Sequence, residues 1–224
     1  MVLILEPYIR GLTLGSSVYG ISYIMDRTIA YPSYLNIVNN TQSLSLYHEG
    51  WNRITQNLLL ITPPAYTFTV NTLTVPGTLS FTSIQPINLV LFVIIHNFFY
   101  YCAHKFMHTN INFYRIHSFH HKFHDVMLPS IGNSVSKREF LFSYLTPILL
   151  ATLILPITES TLVAGVFIIT MGNLIIHCKE LEHFTYPAYL VSPAKHITHH
   201  LKRTKHYAAP FFDFDEFLDQ ESYK

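Results

Sequence analysis

Three apolar runs dominate the second half of the chain: PINLVLFVIIHNFFYYCA (86–103), FLFSYLTPILLATLILP (140–156) and TLVAGVFIITMGNLIIH (161–177). The first is long enough to cross a bilayer, and the other two stand at the lower limit of about 17 residues. ITES (157–160) separates those two and predicts a tight helical hairpin. The first half is less regular. NLLLITPPAYTFTV (57–70) is apolar but interrupted by Pro63 and Pro64, which suits a kinked span, a re-entrant segment or an interfacial helix. Residues 1–24 are a further candidate, whereas Asp26 to Arg53 reads as polar and turn-rich. The pattern predicts three crossings, with one or two more possible in the N-terminal part.

The polar positions orient this arrangement. No Lys or Arg falls between Glu139 and Cys178. Lys105, Arg115, Lys122, Lys137 and Arg138 precede the hairpin, and Lys179, Lys195, Lys202, Arg203, Lys205 and Lys224 follow it. Two crossings return the chain to the side it left, so both basic segments share one face, and the positive-inside rule makes that face cytosolic. Composition agrees: 12% of residues are charged, against about 25% in soluble domains, and mean hydropathy is +0.27. A net charge of +1 without a basic tract gives no reason to expect a nucleic-acid partner. Two isolated cysteines, Cys102 and Cys178, make no disulfide framework. MVLILEPYIR is apolar at once and then meets Glu6 and Arg10, which is not the pattern of a signal peptide. The expected fold is all-α: an integral-membrane helical bundle with a cytosolic-side helical cap. It divides into a membrane-associated region, 1–85, and a main domain, 86–224.

That cap would carry the chemistry. Thirteen of the 14 histidines lie from His96 onward. His104 and His108 are four apart. His117, His120 and His121 stand at i, i+3, i+4, and His196, His199 and His200 repeat the spacing. On a helix such residues share a face, so each cluster is expected to project its imidazoles one way. Ser192 and Pro193 suit the N-cap and first turn of a helix that would open the third cluster. Imidazole is the common ligand of iron, zinc, copper and nickel. Eight or nine histidines exceed the needs of one ion and imply two. Cysteine is too scarce for a structural zinc site, and carboxylates are too scarce near the clusters for the Glu-x-x-His pairs of soluble di-iron bundles. Asp125, Asp213 and Asp215 are candidates to hydrogen-bond the far nitrogens of the ligands. His48 reads as an ordinary loop residue, His124 and His206 as surface or supporting residues, and His96 as facing the bundle interior.

The order HxxxH, HxxHH, membrane hairpin, single histidine, HxxHH resembles the fatty acid hydroxylase and sterol desaturase superfamily. FYYCAHKFMH resembles its first box with the preceding aromatic run, YRIHSFHH its second, and LVSPAKHITHH its third; HYAAPFFDFDEFL is similar to its closing segment. The likeness runs from His96 to Leu218. Asn97, Lys105, His206 and Ala208 depart from the usual residues, as do Asp219 and Gln220 at the end, but no box histidine is lost. The resemblance implies a membrane-bound, O2-dependent oxidoreductase that hydroxylates or desaturates a sterol or fatty acyl lipid. It implies two iron ions (Fe2+) held by His104, His108, His117, His120, His121, His196, His199 and His200, with no catalytic residue beyond the metal centre. A ninth ligand is expected between hairpin and third box. His177, at the end of the last span, is preferred to His183, since residues six apart cannot reach one metal from a continuous helix. No GxGxxG or haem motif occurs, so an external electron donor, cytochrome b5- or ferredoxin-like, is implied, and an endoplasmic reticulum location in a eukaryote. The alternative is a non-catalytic histidine-rich membrane metal-binding protein, although its ligands would be expected within the spans. A zinc hydrolase would need a glutamate base as in HExxH, and none is present.

Overall fold

The computed structural model describes residues 2–218, with side chains from residue 5 onward; Asp219, Gln220 and Lys224 lie outside them. The described residues form helices joined by turns and loops, with two isolated bridges, Val75–Thr158 and Leu190–Phe212, as their only strand-like pairings. The elements are α1 (Val2–Arg27), α2 (Tyr31–Val38), α3 (Thr41–Thr55), α4 (Thr62–Thr72), α5 (Pro86–Thr109), α6 (Ile111–His117), a short α7 (Lys137–Glu139), α8 (Thr146–Ile154), α9 (Glu159–Ile176), α10 (Pro193–Lys202) and α11 (Phe214–Leu218).

The stretch from Asp26 to Arg53 is helical rather than turn-rich. Asn40 caps α3, its side chain accepting from the N–H groups of Gln42 and Ser43 at 3.0 Å. Tyr47, Gly50 and Ile54 are buried on one face of α3, so its polar residues are the outer face of an amphipathic helix. His48 sits on that exposed face, not in a loop.

Pro63 and Pro64 do not break the chain's course either. A π-helical turn, Gln56–Ile61, links α3 to α4, and both prolines fall in the first turn of α4. Proline is tolerated there because the first N–H groups have no intrahelical acceptor. Thr62 Oγ1 donates to the carbonyl of Asn57, five residues back, at 3.0 Å. The device recurs at Phe140–Leu145, where a second π-turn precedes Thr146-Pro147 and Thr146 Oγ1 donates to Leu141 O at 2.9 Å. At the first of these turns α1 comes very close: a Cβ on Gly15 would lie 2.1 Å from Leu58 O.

Two helices are long and apolar enough to cross a membrane, α5 and α9, with mean hydropathies of 1.5 and 1.7. The third expected crossing is helical from Lys137 to Ile154 but is divided by its π-turn. It returns through residues 155–158 into α9, which Thr158 caps by accepting from the Thr161 N–H. α5 is inverted relative to a soluble helix. Ile87, Val90, Ile94 and Phe98 are exposed, while His96, Asn97, Tyr100 and His104 are buried. α1 runs the length of this bundle. At one end Arg10 Nε lies 2.7 Å from Glu159 Oε1, and Tyr66 donates to the same oxygen at 2.5 Å. At the other end Asp26 accepts from the Ser130 N–H at 3.0 Å and from Tyr47 at 2.9 Å. The described part of region 1–85 therefore packs onto the main domain along its side.

The Gly15 approach yields a paired expectation. Gly15→Ala forces backbone apart at the first π-turn and should cost about 1–3 kcal/mol, read as a lower unfolding temperature in detergent. Gly20→Ala, on the same helix with nothing within 4 Å of its Cβ, should be neutral or stabilising by up to about 1 kcal/mol.

Candidate metal centre

Four segments bring their histidines together at one end of the bundle. His104 and His108 sit in the last turns of α5, His117 ends α6, and His120 and His121 lie in a 3-10 turn, His120–Phe123. His177 is the C-cap of α9. His196, His199 and His200 ride on α10, which opens as the sequence predicts: Ser192 accepts from the Lys195 N–H at 3.2 Å, with Pro193 in the first turn.

The nine imidazoles form two groups. His104, His108, His117, His121 and His199 make one; His120, His177, His196 and His200 make the other. Within each group, ring nitrogens lie within 4.8 Å of one another. The expectation that each cluster points one way is wrong for both HxxHH boxes. Adjacent helical residues diverge by about 100°, so His120 and His121 cannot address one atom, nor can His199 and His200. Each box gives its i, i+4 pair to one group and its middle histidine to the other. The second box sends His117 and His121 to the first group and His120 to the second. The third sends His196 and His200 to the second group and His199 to the first. The two groups adjoin, with the His121 and His200 ring centroids 4.8 Å apart.

The tautomers identify what the nitrogens await. Backbone carbonyls stand 2.6 Å from His104 Nδ1 (Tyr207), 2.7 Å from His177 Nδ1 (Asn173) and 2.8 Å from His199 Nδ1 (Lys205). A carbonyl only accepts, so each Nδ1 carries the proton and each Nε2 presents a lone pair. His104 Nε2 lies 2.9 Å from His117 Nε2, which is itself 2.9 Å from His121 Nε2 and 3.1 Å from His108 Nε2. In the second group His177 Nε2 lies 2.9 Å from His196 Nε2 and 3.3 Å from His120 Nε2. Shared protons could satisfy such nitrogens only in pairs; a central cation satisfies all of them. Spacings of this size also suit neighbouring ligands of one ion with metal–nitrogen bonds of about 2.0–2.1 Å. His200 is buried, and neither of its ring nitrogens has a partner.

Electrostatics agree. Burial pushes the pKa values of His117, His120, His121, His196, His199 and His200 far below the ordinary 6.5, and that of His177 to about 4. All are neutral near pH 7, the form that binds metal. The donor set is compatible with metal binding.

The supporting shell differs from expectation. Asp125 is exposed and faces His124. Asp213 holds His206 Nδ1 at 2.9 Å and Lys195 Nζ at 2.8 Å; burial raises its pKa, but these partners hold it below the ordinary value. Asp215 accepts from the Tyr207 N–H at 2.6 Å. Asp213 and Asp215 clamp the loop whose carbonyls hold His104 and His199. A third possible cation group, His206, Asp213 and Glu216, already holds the Lys195 ammonium, 3.4 Å from Glu216. The carboxylate that reaches the centre is Glu139, which the sequence reading passed over. It is buried, with Oε1 2.6 Å from His117 Nδ1. Burial raises its pKa well above the ordinary value; a nearby cation acts in the opposite direction. His183 is exposed and packs on Phe184, away from both groups.

A family model described as Fatty acid hydroxylase matches residues 89–219. No curated protein and no solved structure matches the chain. The matched segment covers more than half the chain and includes all nine grouped histidines, so the chain belongs to the fatty acid hydroxylase family.

The grouping predicts separable effects on metal content. His177→Ala removes one of four donors from the second group and should lower bound metal towards one ion per chain by elemental analysis. His183→Ala and His48→Ala should retain the unmodified protein's content. Full occupancy in His177→Ala together with loss in His183→Ala would reverse the assignment.

Proposed function

We propose that this member of the fatty acid hydroxylase family is a membrane-bound, di-iron, O2-dependent hydroxylase or desaturase of a sterol or fatty acyl lipid. The observation that carries the reading is the meeting of two all-histidine groups with an apolar cavity. The cavity, about 80 Å³, lies between α1, α5, α8 and α9. Two of its lining residues also touch the histidines. Tyr100 packs against His104 with centroids 5.3 Å apart, and Asn173 gives its carbonyl to His177.

Two iron ions, one in each group, would supply O2 activation and removal of hydrogen from an unactivated C–H bond. The chain's own residues do the rest. Leu145, Ile148, Val166 and Ile169 offer an apolar wall to a hydrocarbon chain and keep water from it. The carbonyls of Tyr207, Lys205 and Asn173, with Glu139, hold the ligand rings in orientation. Hydroxylation and desaturation each take up two electrons beyond those from the substrate, so a separate one-electron carrier is part of the proposal, cytochrome b5- or ferredoxin-like. A groove lined by Arg53, Arg115, Lys122 and Arg138 beside His117 would suit an acidic carrier. In a eukaryote the expected location is the endoplasmic reticulum membrane, with the histidines on the cytosolic side.

Two experiments test this. Protein purified in detergent should contain about two iron atoms per chain and take up O2 when given a reductant and lipid. One zinc per chain, with no iron taken up on reconstitution, would sink the di-iron reading and favour a non-catalytic metal-binding protein. For topology, cysteines replacing Lys122 and Lys202 in a Cys102→Ala background should label from one side of the membrane. A cysteine replacing Phe81, 93% exposed at the opposite end, should label from the other. Labelling of Lys122→Cys and Lys202→Cys from opposite sides would rule out a shared face.

A further inference from the structure

One buried polar side chain in the cavity is left unused by the metal centre. His96 is 3% exposed, and no group hydrogen-bonds its Nδ1. Its ring lines the same cavity as Tyr100, Leu145, Ile148, Val166 and Ile169. Most polar neighbours in that wall are already satisfied. Thr62 donates to Asn57 O, Asn173 to Gly132 O at 2.9 Å, and Tyr144 to Gly132 O. A buried imidazole nitrogen without a partner is costly, so in this apolar wall it points to a ligand that brings the missing group.

Its position adds a length. His96, Tyr100, His104 and His108 recur every four residues on α5, each turned about 40° from the one before, so successive rings lie one above the next along a winding stripe. The His96 and Tyr100 rings stack with centroids 6.2 Å apart. Eight residues separate His96 from His104, about 12 Å along the helix axis. The polar ring thus lies within the membrane-crossing part of α5, two turns from the first histidine group, with the cavity beside it.

We propose that His96 is a recognition residue for an oxygen function, a hydroxyl or carbonyl, carried by the lipid in the cavity. The hydrogen bond sets the register of the chain, so the carbon presented to the metal centre lies at a fixed distance from that oxygen. The proposal rests on the cavity being the lipid site and deepens that reading: the substrate is an oxygenated lipid bound oxygen-inward, not a bare hydrocarbon chain.

The test compares binding of 1-hexadecanol and hexadecane to the full chain in detergent, with iron content measured on every sample. The unmodified protein should bind the alcohol about tenfold more tightly, as expected for one buried hydrogen bond. His96→Phe should abolish this preference while leaving hexadecane binding within about twofold, and His96→Gln should retain part of it. Equal binding of both probes by the unmodified protein, or an unchanged preference in His96→Phe, overturns the proposal. If His96→Phe does not fold, a photoactivatable hexadecanol with its diazirine beside the hydroxyl carbon decides on the unmodified protein. Crosslinks within residues 92–100 support the proposal, and crosslinks confined elsewhere overturn it. Iron content and O2 uptake report separately on the metal centre, so a preference for the alcohol in iron-free protein would keep this inference and sink the di-iron reading.

Discussion

Nine neutral imidazoles turned towards two points, with their lone pairs facing one another, are the constraint on which the rest of the structure depends. Lone pairs so arranged repel one another unless a cation lies between them, and rigid elements set the orientation of most of the rings. α5 and α10 fix the rotation of five histidines, and carbonyls at Asn173, Lys205 and Tyr207 fix three tautomers. Gly132 shows how closely the scaffold fits: a Cβ there would lie 3.0 Å from His177 Nδ1 and 2.8 Å from Asn173 Nδ2. The buried Asp26–Ser130 hydrogen bond ties that tight segment back to α1.

The reciprocal division of the HxxHH boxes gives the two groups a shared dependence. Neither box serves one group alone, so a tilt of α10 moves donors in both. The groups are still unequal. Five histidines stand in the first, and its surroundings add Glu139 and two carbonyls from one loop; the second has four histidines and one orienting carbonyl, from Asn173.

Much of this was legible in the sequence. The three boxes, the capping Ser192 and the hairpin follow from short-range spacing and recur in the structure, which also groups His177 with the box histidines and leaves His183 exposed. What was missed depends on contacts distant in sequence or on local geometry that spacing does not encode. Glu139 lies 22 residues from His117 and looked like the first polar residue before a span. The orienting carbonyls belong to main chain, which no residue type announces. α3 was hidden because its buried face is only three residues wide, and Pro63 looked like a break because a π-turn leaves no strong signature. The split of the boxes, by contrast, was available from the 100° step between neighbouring helical residues.

The loop from Arg203 to Ala209 has a consequence for how the protein is made. Its turns at Arg203 and His206 adopt positive φ, of 61° and 59°, and its carbonyls orient His104 and His199, donors separated by most of the family segment. The first group therefore cannot assemble while the chain is still emerging. α5 and the hairpin are synthesised and can enter the membrane with two of the three boxes already present, but their histidines lack both the third box and the carbonyls that set two of the rings. Completion of the first group thereby waits until residues 203–209 have been made, and a chain cut before them would carry all nine grouped histidines without the carbonyls that set two of the rings.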